Sequence, residues 1–350
     1  MPPQASLLGI PLEVRTMIIL DVAFSPISSP PKVSDLNTQG RRTLQAKATG
    51  AWEESRRVLF PARPAANPCL SLLLTNRRLR DETLDALRRA AATKPLTYTA
   101  DIVYVKNDCT LYPTWLSVPA RAEHVDTIYA QFRIFNRPES TGGYVQLDKD
   151  PHRGMFSIGC GAPPAIVWPF YHLLVGILTS GTHGPCGAAF TVKKLILDFL
   201  PPAADEVDGL LPLGKRRRRV RAGNPGGPET RVDEYFGLPD ELKGRCMGDP
   251  RKEAAAMLMC FVHQRLWYLA QLSAHTFEYG KRLHEHIGVV EVRLDGEAYA
   301  NIDLGQLLAN VKRWGTDESS YSSKKWCDNF VPWKPVVVAR RQGLGMSVGN

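Results

Sequence analysis

The stretch of sequence that decides the fold is residues 125–135, Val-Asp-Thr-Ile-Tyr-Ala-Gln-Phe-Arg-Ile-Phe. Its even-numbered positions from Ile128 to Ile134 are apolar, and the odd positions between them are Tyr, Gln and Arg. Because successive side chains of a strand point to opposite faces of a sheet, this period of two predicts a half-buried β-strand. Further strands are predicted at residues 98–105, 194–199 and 289–294.

Half-buried strands predict a sheet that is covered on one side, which is typical of antiparallel sheets. We therefore predict a small, mostly antiparallel sheet. The helices predicted to cover it lie at residues 166–179, 252–285 and 302–314.

Two helices are predicted before the sheet. Residues 10–24 open with Pro11, a residue favoured at the first helical position. Residues 69–92 form an amphipathic helix with one aligned stripe, made of Leu72, Leu79, Thr83, Ala86, Leu87 and Ala90. Helices first and a covered sheet afterwards predict an α+β fold.

Segments rich in Pro, Gly and charge divide this fold. We predict an N-terminal helical module at residues 5–92, with a disordered insertion at about 25–50. An α+β recognition region follows at 93–314, interrupted by a Pro/Gly/Arg-rich loop at about 201–250. Residues 315–350 are predicted to be a poorly ordered tail.

The net charge of +9 is concentrated in one run. Setting the six basic residues of this run aside from the 44 in the chain leaves 38, against 35 acidic ones. The folded remainder is thus close to neutral, which gives no basic surface for specific nucleic-acid binding. A nuclear-import signal and a plain solvated loop both fit the run, which consists of Lys215, Arg216, Arg217, Arg218, Arg219 and Arg221.

Several classes of protein are disfavoured by composition. The seven cysteines are odd in number and contain no Cys-x-x-Cys pair, which disfavours a disulfide framework or a zinc site. The longest nearly apolar stretch is too short and too interrupted for a membrane helix, and the N-terminus lacks a signal peptide. We therefore expect an intracellular protein, in the nucleus or the cytoplasm.

No motif in the sequence predicts catalysis. Residues 209–215 match the first seven positions of a phosphate-binding loop, but Arg216 stands where a Ser or Thr must hold magnesium. The His-Glu-His at residues 284–286 lacks the spacing of a zinc motif, and no Gly-x-Ser-x-Gly elbow is present. We expect no catalytic residue, no metal and no cofactor.

The first helix is apolar on two sides. A broad face carries Val14, Met17, Ile18, Leu20 and Phe24, whereas Leu12 and Ile19 lie on the opposite side. A helix of this kind needs two surfaces against which to bury itself. We predict that the broad face packs on the domain and that Leu12 and Ile19 face a partner.

Two segments carry a family resemblance. Residues 7–18, Leu-Leu-Gly-Ile-Pro-Leu-Glu-Val-Arg-Thr-Met-Ile, resemble the opening of the F-box, and in particular the Leu-Pro-x-Glu-Ile-Arg opening of fungal F-box-like proteins. Residues 72–84, Leu-Leu-Leu-Thr-Asn-Arg-Arg-Leu-Arg-Asp-Glu-Thr-Leu, resemble the second signature of that family. The similarity continues through residues 114–119 and 125–135.

The resemblance implies a non-catalytic subunit whose F-box-like module docks a Skp-type adaptor of a cullin-RING ubiquitin ligase. The remainder of the chain would then recognise a protein substrate of unknown identity. Pro11, Leu12 and Ile19 are the predicted adaptor contacts. The alternative is a nuclear interaction or structural protein without a role in a ubiquitin ligase.

Overall fold

The fold is seen in a computed structural model. It describes residues 7–27, 29, 36, 40–43, 57–63, 68–93, 95–105, 109–120, 122–135, 166–182, 190–202, 238–246, 248–272, 276–311 and 321–349. The basic run at residues 215–221 lies outside this part of the chain, as does most of the two segments predicted to lack regular structure.

The described residues form nine α-helices and eight β-strands. The α-helices are α1 (Leu12–Phe24), α2 (Leu70–Thr75), α3 (Arg77–Thr93), α4 (Val167–Ser180), α5 (Asp240–Cys246), α6 (Pro250–Ala270), α7 (Phe277–His286), α8 (Leu304–Asn310) and α9 (Tyr321–Gly343). The strands are β1 (Arg41–Arg42), β2 (Phe60–Pro61), β3 (Thr97–Val105), β4 (Thr110–Ser117), β5 (His124–Phe135), β6 (Thr191–Leu200), β7 (Ile287–Leu294) and β8 (Glu297–Asp303). The α+β class is confirmed.

The main sheet has six strands in the order β4-β3-β5-β6-β7-β8. Its three inner pairs are parallel and its two outer pairs are antiparallel. The predicted mostly antiparallel sheet is therefore wrong, and the sheet is mixed. The reason lies in the connections from β5 to β6 and from β6 to β7, which carry helices; a crossover of this kind brings the next strand in parallel.

One face of the sheet carries the main core. The apolar positions of the central strands, such as Phe132 and Phe199, are buried there, and these two rings stack at a centroid distance of 4.9 Å. Helices α4, α6 and α7 cover this face, with Phe170, Leu258 and Leu283 in the same core. The helices thus lie on the face that the alternation in residues 125–135 predicts to be buried.

The opposite face of the sheet carries polar contacts beside a smaller apolar cluster that includes Val103 and Phe135. Arg133 on β5 forms an ion pair with the buried Asp101 on β3, with 2.6 Å between Nη2 and Oδ2. The Tyr129 hydroxyl donates to Asp198, and burial together with this bond raises the pKa of Tyr129 to about 12. Asp198 also accepts from the backbone N–H of Gly296 at 3.0 Å, which fixes the turn between β7 and β8. These side chains therefore link neighbouring strands.

The C-terminal region differs from the prediction of a poorly ordered tail. Residues 321–343 form α9, whose Phe330 and Val337 are buried against Leu272, Phe277 and Leu308. Two prolines lie inside this helix and its composition is polar, so its sequence gives a weak helical signal. Burial against α7 and α8 explains why the helix forms in spite of this.

Arg341 anchors α9 to the rest of the fold. Its side chain is fully buried and donates to the carbonyl oxygens of His284, Ile287 and Gly288, at 2.7, 2.7 and 3.3 Å. The fourth acceptor is the carbonyl of Ser347, at 2.8 Å from Nε. Because the last carbonyls of a helix have no intrahelical partner, the guanidinium caps the C-terminal end of α7.

Other boundaries also depart from the prediction. The long helix predicted at residues 252–285 is two helices, α6 and α7, separated by a turn in which Leu272 has φ 53°. Strands β4 and β8 are absent from the prediction. The loop predicted at 201–250 contains α5, whose Leu242 and Cys246 are buried, so the prediction is wrong for that part.

Candidate interaction surface on the N-terminal helices

A buried ion pair joins α1 to α3. Arg15 is 2% exposed, and its Nε and Nη2 donate to the two carboxylate oxygens of Glu82 at 2.8 and 2.7 Å. Its Nη1 donates to the carbonyl oxygens of Leu8, at 3.2 Å, and of Ile10. The pair joins the two segments that resemble the F-box signatures, since Arg15 belongs to residues 7–18 and Glu82 to residues 72–84. One side chain therefore fixes both the helix pair and the turn before α1.

The charges of this pair support each other. Hydrogen bonding to Arg15 lowers the pKa of Glu82, and a second bond from Arg78 at 3.0 Å lowers it further. Hydrogen bonding to Glu82 raises the pKa of Arg15 in turn. Both groups therefore stay ionised at neutral pH, as a bidentate Arg–carboxylate pair requires.

The second helix of the module is divided at Asn76. The side-chain oxygen of Asn76 accepts from the backbone N–H of Leu79 at 2.9 Å, and its backbone is extended, with φ −159° and ψ 166°. An Asn at this position caps the start of α3 and ends α2. The single helix predicted at residues 69–92 is thus two, although its predicted stripe is buried at Leu79, Thr83, Ala86 and Ala90.

The inward side of α1 is not the side predicted from its apolar pattern. Arg15, Ile19 and Ala23 are the buried residues of this helix, and at about 100° per residue they lie within an arc of about 80°. Ile19 has no exposed surface. Its predicted role as an adaptor contact is wrong, because its side chain is already covered by this chain.

The outward side of α1 is the broad apolar face. Val14 and Met17, which were predicted to face the interior, are 42% and 70% exposed, and Phe24 is 36% exposed. Leu12 is 44% exposed and Pro11 is also exposed, so these two remain available to a partner. The inward side instead pairs Arg15 with Glu82 and buries Ile19 and Ala23.

Helix α2 and Ile27, which lies three residues beyond the end of α1, add further exposed apolar side chains. We call the N-terminal apolar surface the set of exposed side chains Leu12, Val14, Met17, Phe24, Ile27, Leu70 and Leu74. These seven are most of the eleven large apolar side chains that are exposed in the described part of the chain, and Leu74 reaches 75%. Two exposed carboxylates on α1, Glu13 and Asp21, lie beside them. Such a concentration is typical of a protein interaction site.

His284 serves a structural role in the fold. His284 is fully buried, with Nδ1 at 3.1 Å from the Leu304 carbonyl and Nε2 at 2.8 Å from the Ala270 carbonyl. Burial lowers its pKa to about 4.

Among the residues that the structure describes, no group of three or more His, Cys, Asp or Glu could hold a metal ion. Within the same residues, no helix has the length and apolar content needed to cross a membrane.

Comparisons with known proteins give no match. No protein-family model, no curated protein and no solved structure matches the chain. The functional proposal therefore depends on the residues of the chain itself. The N-terminal apolar surface, the Arg15–Glu82 pair and the resemblance of residues 7–18 and 72–84 are the features that bear on it.

Proposed function

We propose that this protein is a non-catalytic interaction subunit whose N-terminal helices dock a Skp-type adaptor of a cullin-RING ubiquitin ligase. The single observation that carries the proposal is the N-terminal apolar surface, which exposes seven large apolar side chains on one small helical module. In this proposal the α+β region recognises a protein substrate.

The chemistry of the surface supports helix-on-helix docking. Val14 and Met17 are three residues apart, and Phe24 is seven residues further on, which places all three on one side of α1. This spacing is typical of a helix that lays its apolar side into a groove or against another helix. Removing these apolar side chains from water on docking would favour association.

The Arg15–Glu82 pair supports the same proposal. A docking surface must be held in one shape before binding, because ordering it during association costs free energy. The bidentate pair fixes α1 on α3, and the Arg15 bond to Leu8 fixes the turn before α1. The arrangement is suited to hold Met17 and Leu74 in place in the absence of a partner.

The test is titration of the full chain with a purified Skp-type adaptor. Met17→Asp and Leu74→Asp should each weaken binding at least about tenfold, because a charge would be buried without a partner at an interface anchor. Val331→Asp is a matched control, because Val331 is 56% exposed on α9 and lies outside the N-terminal apolar surface. Circular dichroism should show an unchanged fold for all three variants.

Two outcomes would contradict the proposal. If the unmodified protein does not bind the adaptor at micromolar concentration, the ubiquitin-ligase role fails. The alternative of a nuclear interaction protein would then stand first, since the run at residues 215–221 fits an import signal. If binding occurs but the Met17 and Leu74 variants bind as well as the parent, the adaptor uses another surface. Ile19→Asp should unfold the helical module. This variant therefore shows how loss of folding, as distinct from loss of an interface contact, affects adaptor binding.

A further inference from the structure

Helix α9 has a second apolar side that nothing in the described chain covers. Its inner side buries Phe330 and Val337. At about 100° per residue, its outer side carries a continuous stripe of small apolar residues. The members of this outer stripe are all exposed, with Val331 at 56% and Val336 at 67%, and they are Val331, Pro332, Pro335, Val336 and Ala339.

The outer stripe ends in opposite charges. Asp328 is exposed at its N-terminal end and Arg340 is exposed at the edge of its C-terminal end. No ion pair of either is present among the side chains that the structure describes, which do not include those of residues 321–327 and 329. The two lie equally far along the helix from Lys334, one on each side. When two such stripes lie antiparallel, the acidic end of each is therefore next to the basic end of the other.

We propose that α9 packs antiparallel on α9 of a second copy of this chain, about a two-fold axis that crosses the outer stripe at the level of Lys334, whose own side chain faces α8. In this arrangement Asp328 of each copy lies opposite Arg340 of the other, so that two ion pairs form. Pro332 of each copy lies opposite Val336 of the other. An interface that uses the same patch twice closes after two copies, which predicts a dimer and not a filament.

The prolines of the stripe add a second reason for a basic partner residue. Pro332 and Pro335 have no backbone N–H, so the carbonyl oxygens of Asp328 and Val331 lack their intrahelical donors. A carbonyl that is covered without a donor costs free energy. Arg340 of the second copy carries five N–H groups and can donate both to the Asp328 carboxylate and to its free carbonyl.

The size of the stripe predicts weak association. Residues 328–340 span about 18 Å of helix, and the side chains between them are small. A stripe of this size buries less than the about 800 Å² per partner of a stable interface. We therefore expect a dimer with a micromolar dissociation constant. The dimer does not depend on adaptor binding, because it uses none of the residues of the N-terminal apolar surface.

Sedimentation of the full chain over a range of micromolar concentrations tests the proposal. Val336→Asp should weaken dimerisation at least about tenfold, since it would place two like charges at the interface. Met17→Asp is the matched control, because it places the same charge on a more exposed apolar residue outside α9 and should leave dimerisation unchanged. Monomers at all concentrations up to about 200 μM would overturn the proposal. So would a dimer that Met17→Asp weakens and Val336→Asp does not.

Charge exchange tests the antiparallel geometry. Asp328→Arg and Arg340→Asp should each weaken dimerisation, because each brings like charges together twice. An equimolar mixture of the two variants should dimerise again, since every cross-pair in the mixed dimer is then of opposite sign. Failure of the mixture to recover would overturn the antiparallel arrangement. Melting temperatures of both variants should match the parent, because Asp328 and Arg340 are exposed.

Discussion

Two buried arginines fasten two helices in different ways. Arg15 holds α1 on α3 through a carboxylate, Glu82, whereas Arg341 holds α9 on α7 and β7 through three backbone carbonyls and also donates to that of Ser347. The first contact depends on one other side chain. The contact of Arg341 depends on the position of the backbone at His284 and its neighbours, which the rest of the fold determines.

The surroundings of the two arginines differ as well. Burial lowers the pKa of Arg341 to about 10, whereas hydrogen bonding to Glu82 raises that of Arg15. Arg341 remains a cation at neutral pH, and the charge of Asp303 partly offsets the effect of burial on its pKa. The comparison teaches that the N-terminal module is held by a charge pair and that the C-terminal helix is held by a cap on backbone groups.

The largest effect is expected from loss of the Arg341 cap. Arg341→Met should reduce the free energy of unfolding by about 3 kcal/mol or more, because buried carbonyls lose their donors. Urea unfolding measures this change. Arg340→Met is the matched control, because Arg340 precedes Arg341 in the sequence but is exposed. This variant should change the free energy of unfolding by less than about 0.5 kcal/mol. Equal losses of unfolding free energy in the two variants would show that the contacts of Arg341 with backbone carbonyls do not stabilise the fold.

A smaller loss of stability is expected at low pH. It should begin at His284, whose carbonyl oxygen accepts from Arg341. Burial lowers the pKa of His284 from its ordinary value of 6.5 to about 4. The unfolded chain therefore binds a proton between these values that the folded chain does not, and stability is lost as pH falls from 6.5 towards 4. Each such histidine contributes a slope of about 1.4 kcal/mol per pH unit. The pKa of Glu82 is lowered from 4.5, so the Arg15 pair is lost only below that pH.

Urea unfolding at a series of pH values checks this order. His284→Gln should lower stability at neutral pH and should flatten the slope between about pH 6.5 and pH 4.5. Glu82→Gln should leave the slope in that range unchanged, which makes it the control for the module. A parent protein with constant stability from neutral pH to about pH 5 would refute the burial of a neutral imidazole.

The smallest of the three effects is expected at the Arg15–Glu82 pair. Arg15→Met and Glu82→Gln should each lower the melting temperature by less than Arg341→Met does, because Arg341→Met removes the donor of four backbone carbonyls. The double variant should be little worse than either single one, since both remove the same contact. Melting curves of the parent, the two singles and the double measure this coupling. Strictly additive effects would show that the two side chains stabilise the module independently.

Local pattern accounts for the parts of the fold that the sequence predicts well. The alternation in residues 125–135 gives β5, and the stripe in residues 69–92 gives the buried side of α3. Both patterns are short-range, because they reflect which face of one element is covered. The α+β class follows from the order of these elements. The two segments that resemble the F-box signatures are also read from sequence alone.

Long-range contacts decide the rest. Nothing near Arg15 or Arg341 in the sequence shows that Glu82 or the carbonyl of Ile287 will lie beside it, because the pairs are 67 and 54 residues apart. The Arg15–Glu82 contact goes with an α1 whose Arg15 side faces inward and whose Met17 is exposed. The contact between Arg341 and the Ile287 carbonyl holds α9 against the rest of the fold. Parallel pairing of β5, β6 and β7 is likewise set by the crossover helices. The sequence by itself determined the first helices, the central strands and the α+β class. The tertiary structure decided the remaining elements and which faces remain open to a partner, because those depend on contacts between residues far apart in the chain.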